Sequence, residues 1–300
     1  MSSRAAPAHH RSLVAYNERT IEAWNGVLVD RLVRFRDIVT TGLGAHGDHA
    51  LRLHPPRPGD RALDVGCGFG DTTRRLAELV GPHGEAVGVD AAPRFIDAAR
   101  REIAQAAVAN ARFLVADVQA CQLDGDFDYV FSRFGTMFFA NPVVALANVR
   151  QALVPGGRLC MVVWRRKLDN DWLHRAERVA ERFLVRLETT NEPTCGPGPF
   201  SMADADTTTD VLMHAGFEDI SLHRCDIEIT IGTDLDQAVQ FVMALGPAGE
   251  LIRLAGSQAQ ERHSSLVAAL HAALAELQEP DGTVRAPAST WIVGARSPGA

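Results

Sequence analysis

Three carboxylates and three glycines are the residues of this chain best spaced to do chemistry. Asp64, Asp90 and Asp117 each close a short apolar run, in "RALDVG" (61–66), "EAVGVD" (85–90) and "RFLVAD" (112–117). The first run passes straight into Gly66, Gly68 and Gly70, within "LDVGCGFGDTT" (63–73). Alternate glycines let a backbone approach a ligand with no Cβ in the way. The spacing is G-x-G-x-G, not the G-x-G-x-x-G of a pyrophosphate-binding turn, and the next residue, Asp71, puts negative charge in the first helical turn, where a phosphate would sit. No G-K-[ST] follows either. The acids suit a different ligand. Asp64 can accept from an ammonium group, Asp90 from both hydroxyls of a ribose, and Asp117 from the amino group of a base.

For the three acids to meet, their runs must be adjacent strands of one sheet with their C-terminal ends together. The chain supplies that frame. Apolar runs at 61–66, 85–90, 112–117, 127–134 and 158–164 alternate with helical stretches at 71–80, 93 to about 109, and from Pro142 to "PGG" (155–157). Nearly continuous apolar strands separated by helices predict a parallel sheet covered on both faces. The fold class expected is α/β, a doubly wound, mostly parallel seven-stranded sheet of Rossmann-like type with helical cap elements. Asn141-Pro142 reads as a cap followed by a first-turn proline. Upstream, Tyr16 to Val39 has helical periodicity through Trp24, Leu28, Leu32 and Phe35, and "TTGLGAHGDHALRLHPPRPGD" (40–60) reads as a break. Downstream come an amphipathic cap helix over 171–188, carrying Trp172, Ala176, Val179, Phe183 and Leu187, a Pro/Gly loop (191–200), a helix at 204–215 ending at Gly216, a strand at 217–231 bent near Cys225, helices at 234–246 and about 258–279, and a strand at 289–297. The organisation expected is a tail and helical lid over 1–54, with residues 1–12 unstructured; an α/β core over 55–232; a helical insertion over 233–287; and the last strand with its tail over 288–300.

A ligand with an amine, a ribose and adenine but no phosphate is S-adenosylmethionine. At these residues the chain resembles a known family. "LDVGCGFG", "VGVD", "VAD", "FDYVFSRF" and "LVPGGRL", in that order, resemble the successive motifs of class I S-adenosylmethionine-dependent methyltransferases, above all the small-molecule subgroup that includes ubiquinone- and menaquinone-biosynthesis enzymes. The resemblance covers about 60–165 and extends weakly to 214–222 and 289–297, which it makes the antiparallel last strands. Carried over by position, it implies that Asp64, Gly66, Gly68 and Gly70 surround the methionine end. Asp90 and Ala91 would hold the ribose and the adjacent adenine edge, Asp117 and Val118 the adenine. Ser132 and Phe134 would touch the cofactor and begin the acceptor pocket. Trp24, on the N-terminal helix with Tyr16, joins the cofactor-facing set.

The acceptor end is less legible. "SRFGTMFFANP" (132–142), the N-terminal helix and "GPGPFSM" (196–202) are expected to line it, and their apolar character points to an apolar or aromatic small molecule. Phe138 and Phe139 read equally well as helix packing. A sulfonium is already an activated electrophile, so a general base is optional. His174, near Asp171 and Glu177, and Arg133 are the catalytic candidates, against an exposed polar face for His174 and a pairing of Arg133 with a nearby carboxylate. "HGDHALRLH" (46–54) is expected to be a polar loop, not a zinc site, since no further ligand completes it. Cys67 is expected to be a packed small residue, and "WRRK" (164–167) a solvated edge. No metal is expected. The 233–287 insertion either caps the site or pairs with a second subunit through Leu266, Leu270, Leu274 and Leu277, making a homodimer.

A net charge of −7 disfavours a nucleic-acid partner, and no Asn-Pro-Pro-aromatic tetrapeptide follows the fourth strand. Five dispersed cysteines suit a reducing cytoplasm. Neither an apolar leader nor a run of membrane-spanning length is read in the chain. The expected function is methyl transfer to a small acceptor. The rivals are a catalytically silent cofactor-binding module and a nucleotide-dependent oxidoreductase, the latter opposed by Asp71 and the missing third glycine.

Overall fold

Burial, more than propensity, decides which apolar runs become central strands. In a computed structural model describing residues 17–123, 125–185 and 197–299, seven strands form one sheet. They are β1 (Arg61–Val65), β2 (Glu85–Asp90), β3 (Ala111–Val115), β4 (Phe127–Arg133), β5 (Leu153–Trp164), β6 (Glu218–Gly232) and β7 (Val284–Arg296). Their order is β3-β2-β1-β4-β5-β7-β6. β1, β2 and β4 are buried almost throughout, whereas the edge strands β3 and β6 alternate with exposed positions. β1 pairs in parallel with both β2 and β4, so the strand order reverses beside it, and crevices at such a point are where open α/β sheets bind ligands. β7 alone runs against the rest, antiparallel to both β5 and β6; the sequence reading has both last strands antiparallel. The register shifts of β6 lie at its two ends and not at Cys225.

Nine helices matter here: α1 (Gly44–Leu53), α2 (Asp71–Val80), α3 (Pro93–Gln105), α4 (Pro142–Ala152), α5 (Asp171–Phe183), α6 (Ala205–His214), α7 (Leu235–Ala244), α8 (Gly246–Ala255) and α9 (His263–Leu274). The punctuation acts as its chemistry demands. Gly70 (φ +81°) opens α2 and Gly81 (φ +71°) ends it. Asn141 Oδ1 accepts from Val144 N at 3.1 Å, capping α4 ahead of Pro142.

Three expectations need correction. The N-terminal stretch is not one helix: it breaks at Gly26 (φ −105°, ψ −112°) and again at Phe35 (φ −109°, ψ 24°). "HGDHALRLH" is not a polar loop but most of α1. Ala50 and Leu51 pack beneath the sheet, His46 is fully buried, and Gly47 leaves room for Arg133, whose Cδ would lie 2.9 Å from a Cβ there. Tertiary burial has overridden the glycine-rich sequence. Between β6 and β7 the reading misses α8, because Gly246-Pro247 looks like a terminator yet serves as its first turn. Leu266, Leu270 and Leu274 are completely buried inside the chain, so that face is not exposed to a second subunit. Tyr16, Leu187, Cys195 and residues 1–12 lie outside the described residues.

Candidate functional site

At the C-terminal edge of β1, β2 and β4 lies a cavity of about 990 Å³, at the upper end of the ~300–1,000 Å³ usual for ligand pockets. One end is made of strand termini and the glycine loop. That loop hangs from β2: Gly66 N and Cys67 N both donate to Val89 O, at 2.8 and 3.1 Å. The Asp90 carboxylate accepts from Gly68 N at 3.0 Å and from Ala92 N at 2.9 Å. Burial pushes its pKa up, against the pull of these backbone donors. Gly68 (φ +53°) faces open space, with nothing within 4 Å of where a Cβ would stand. Asp117 Oδ1 accepts from Gln119 N at 3.0 Å, and its Oδ2 takes the Asn17 side-chain amide, which reaches in from the N-terminal segment. Gln119 Nε2 donates to Asn17 Oδ1 at 2.6 Å.

Gly66, Gly68, Asp90, Ala91, Asp117, Val118, Phe134 and Trp24 all line this cavity. Asp64, Gly70 and Ser132, read from sequence as contacts, are not among the lining residues, and each has a packing role instead. Asp64 is 1% exposed and accepts from Thr73 Oγ1 at 2.7 Å. Burial raises its pKa to about 7. A Cβ on Gly70 would meet the Phe113 ring at 2.8 Å, so that glycine serves helix packing. Ser132 is fully buried and donates to Val65 O at 2.7 Å. Phe134 holds a left-handed backbone (φ +58°), costly for an aromatic residue, and stacks on Trp164 at 4.7 Å.

Arg133 resolves toward pairing. Its Nη2 lies 2.6 Å from Asp71 Oδ2, and the guanidinium is 11% exposed. His174 does not line the cavity. It is only half-buried, and its Nδ1 has no hydrogen-bond partner among the described residues. Cys67 is buried, and burial drives its thiol well above the usual range, against a nucleophilic role.

The other end of the cavity is largely apolar. Trp24 meets Phe138 edge-on at 4.8 Å and Trp172 stacks on Phe241 at 6.0 Å. Phe139, Phe200, Leu245 and Leu251 complete the apolar wall. The insertion helices α7 and α8 therefore line the cavity. Set into this wall are charged groups that the sequence reading misses: Arg31, Lys167, Glu177 and Glu250. Lys167 ion-pairs with Glu177, which is 4% exposed. "WRRK" is thus no solvated edge: Trp164 and Arg165 are buried, and only Arg166 of the four is well exposed. Glu177 on α5, next to Ala176 and two residues before Val179 of the inward stripe, is the signal that could have exposed it. Among the described residues no group of three metal-ligating side chains occurs, and no single helix is long and apolar enough to cross a membrane.

The residues fit S-adenosylmethionine. An open Cβ position at Gly68 leaves room for a ligand against the backbone, and two carboxylates stand at successive strand ends. The acid that opens α2 is tied to Arg133. Comparison with known proteins agrees. A methyltransferase-domain family model matches residues 56–193. The ubiquinone/menaquinone biosynthesis C-methyltransferase UbiE of Stutzerimonas stutzeri is 31% identical over 183 residues, covering 58% of this chain and 71% of that protein. The aklanonic acid methyltransferase DauC of a Streptomyces species is 33% identical over 114 residues, covering 38% of this chain and 52% of that one. For UbiE of Ectopseudomonas mendocina the covered share is 44%, so the match spans about half the length of several such relatives. The YcgJ protein of Bacillus subtilis superposes with a TM-score of 0.54 at 15% identity, over 84% of this chain and all of that one, which speaks for the fold alone. The chain belongs to the class I S-adenosylmethionine-dependent methyltransferases.

Proposed function

We propose that the protein transfers the methyl group of S-adenosylmethionine to a small, apolar or aromatic organic acceptor. One observation carries this reading. A single cavity joins the glycine loop and its two carboxylates to a chamber walled by Trp24, Phe138, Trp164, Trp172, Phe200 and Phe241. In this reading Asp90 accepts from the ribose, and Asp117 with the Val118 segment receives the adenine. Gly66 and Gly68 lie along the methionine part. The bound cofactor supplies an activated methyl on a sulfonium. The residues of the chain have three tasks: to hold the acceptor in line, to exclude water and to take a proton where the acceptor must lose one. The N-terminal segment, through Asn17, Trp24 and Leu28, roofs the cavity and serves the exclusion of water. Glu177 replaces His174 as the candidate for proton transfer, because it lines the chamber and His174 does not. The relatives named for ubiquinone/menaquinone biosynthesis and for aklanonic acid support a small organic acceptor.

The test is transfer of a labelled methyl group to a panel of quinols, phenols, amines and aromatic acids. Product from at least one apolar aromatic member is expected. Complete silence across the panel, with tight binding of S-adenosylhomocysteine, would favour a non-catalytic cofactor-binding module instead.

A further inference from the structure

Not every charged group in the wall of the acceptor chamber has an ion-pair partner among the described residues. Lys167 pairs with Glu177. On α8, Arg253 grips Glu250 with two parallel bonds, Nε to Oε2 at 2.8 Å and Nη2 to Oε1 at 2.9 Å, the fork geometry that satisfies a carboxylate best. That leaves Arg31, on the helical segment Val29–Arg34. Its Nη1 donates to the carbonyl oxygens of Ala244 at 2.9 Å and Gly249 at 3.4 Å, which hold the side chain against the α7–α8 junction. Its Nη2 and Nε make no hydrogen bond among the described residues, and none of the carboxylates there lies within ion-pair distance of it. Arg31 thus brings a guanidinium with two unused donors to the cavity that it lines. A half-buried guanidinium left over in an apolar wall is unfavourable until an anion meets it.

Resting on the methyltransferase reading, we infer that the acceptor carries a carboxylate and that Arg31 is the residue that selects it. The two unused donors of Arg31, Nε and Nη2, lie on one edge of a planar guanidinium and match the two oxygens of a carboxylate. Burial and the nearby Arg253 charge press against the protonated form of Arg31 and outweigh the opposite pull of Glu250, and an anion would offset them. Trp172 adds a second donor to the same chamber. It is 3% exposed, and its Nε1–H has no acceptor among the described residues. The other carboxylate that could reach this chamber is the cofactor's own. Arg31 is anchored on the segment between β6 and β7, not on the glycine loop, which favours the acceptor as the source.

The experiment is calorimetric binding to the full chain saturated with S-adenosylhomocysteine, using 1-hydroxy-2-naphthoate and its methyl ester as a matched pair. The wild type is expected to bind the acid at least about tenfold tighter than the ester, as a charge-assisted fork to carboxylate implies. Arg31→Gln should erase that preference while binding S-adenosylhomocysteine like the wild type, and Arg31→Lys should restore part of it. Equal binding of acid and ester by the wild type would overturn the inference without any variant. So would a preference that survives in Arg31→Gln. If Arg31→Gln loses S-adenosylhomocysteine instead, the carboxylate is the cofactor's and the inference falls, while the methyltransferase reading stands. A wild type that binds no S-adenosylhomocysteine would strike down the reading itself.

Discussion

The two ends of the cavity are built by different means. The cofactor end is made of backbone and short side chains from three consecutive β–α units, between Asp64 and Gln119, and it is pinned by main-chain hydrogen bonds such as Gly66 N and Cys67 N to Val89 O. The acceptor end is made of long side chains from segments scattered through the chain: Arg31, Phe138, Lys167 and Glu177, Phe200, Phe241 and Glu250. The first end is fixed by geometry that side chains cannot easily change. The second can be remodelled by exchanging one helix or loop for another. A constant cofactor meeting variable acceptors calls for this division.

The sharpest way to break the comparison is Gly68→Val. A side chain there points into open cavity, so S-adenosylhomocysteine affinity should fall more than about 100-fold. The left-handed backbone adds strain of about 1–2 kcal/mol, and the protein should still fold. Retained affinity in an isothermal titration would mean that the loop does not touch the ligand. Next comes Asp90→Ala, which removes the proposed ribose contact and the tether of Gly68 together. A loss of about 1.5–3 kcal/mol in cofactor affinity is expected; unchanged binding would sink the ribose assignment. Glu177→Gln sharpens the contrast from the other side. Methyl-transfer turnover should drop about 100-fold, the low end for loss of a proton-transfer group, with S-adenosylhomocysteine affinity unmoved. Equal losses of both would show that the ends are not independent.

The smallest effect concerns pH. Burial raises Asp64 to about 7 from 3.8 and lowers His46 to about 4 from 6.5. The Asp64 contribution to stability is complete below about pH 4 and is lost as pH rises to 7, because the folded state holds that proton more tightly. The His46 contribution is complete above 6.5 and is lost as pH falls to 4, because the folded state holds its proton less tightly. Between 4 and 6.5 the two slopes oppose each other. Urea unfolding of the ligand-free protein should therefore be nearly flat in the wild type, rising with pH in Asp64→Asn and falling in His46→Gln. An identical profile in all three would refute both assignments.

Reading the chain without its fold finds most of the residues that line the glycine-loop end of the cavity and few of those that line its apolar end. Asp90, Asp117, Gly66 and Gly68 are legible because each is fixed by its place in a local strand–turn–helix unit. Asp64 and Gly70 are legible as motif members, but not their inward packing, since a turn pattern does not reveal which side a neighbouring helix occupies. Arg31 carries no local signal at all. Its neighbours Ala244 and Gly249 are more than 200 residues away, and only the packing of α7 and α8 brings them together. His46 reads as polar and proves fully buried for the same reason.

By itself, then, the sequence determined the alternating α/β frame, the strand ends that carry the carboxylates and the G-x-G-x-G spacing of the turn after the first strand, because all of these follow from hydrophobic periodicity and turn chemistry over ten or so residues. Only the tertiary structure decided which charges line the apolar end of the cavity, which glycines pack and which leave space, and that the β6–β7 helices wall the cavity. Those outcomes depend on contacts between segments far apart in the chain, and pairing of that kind leaves no mark on local spacing.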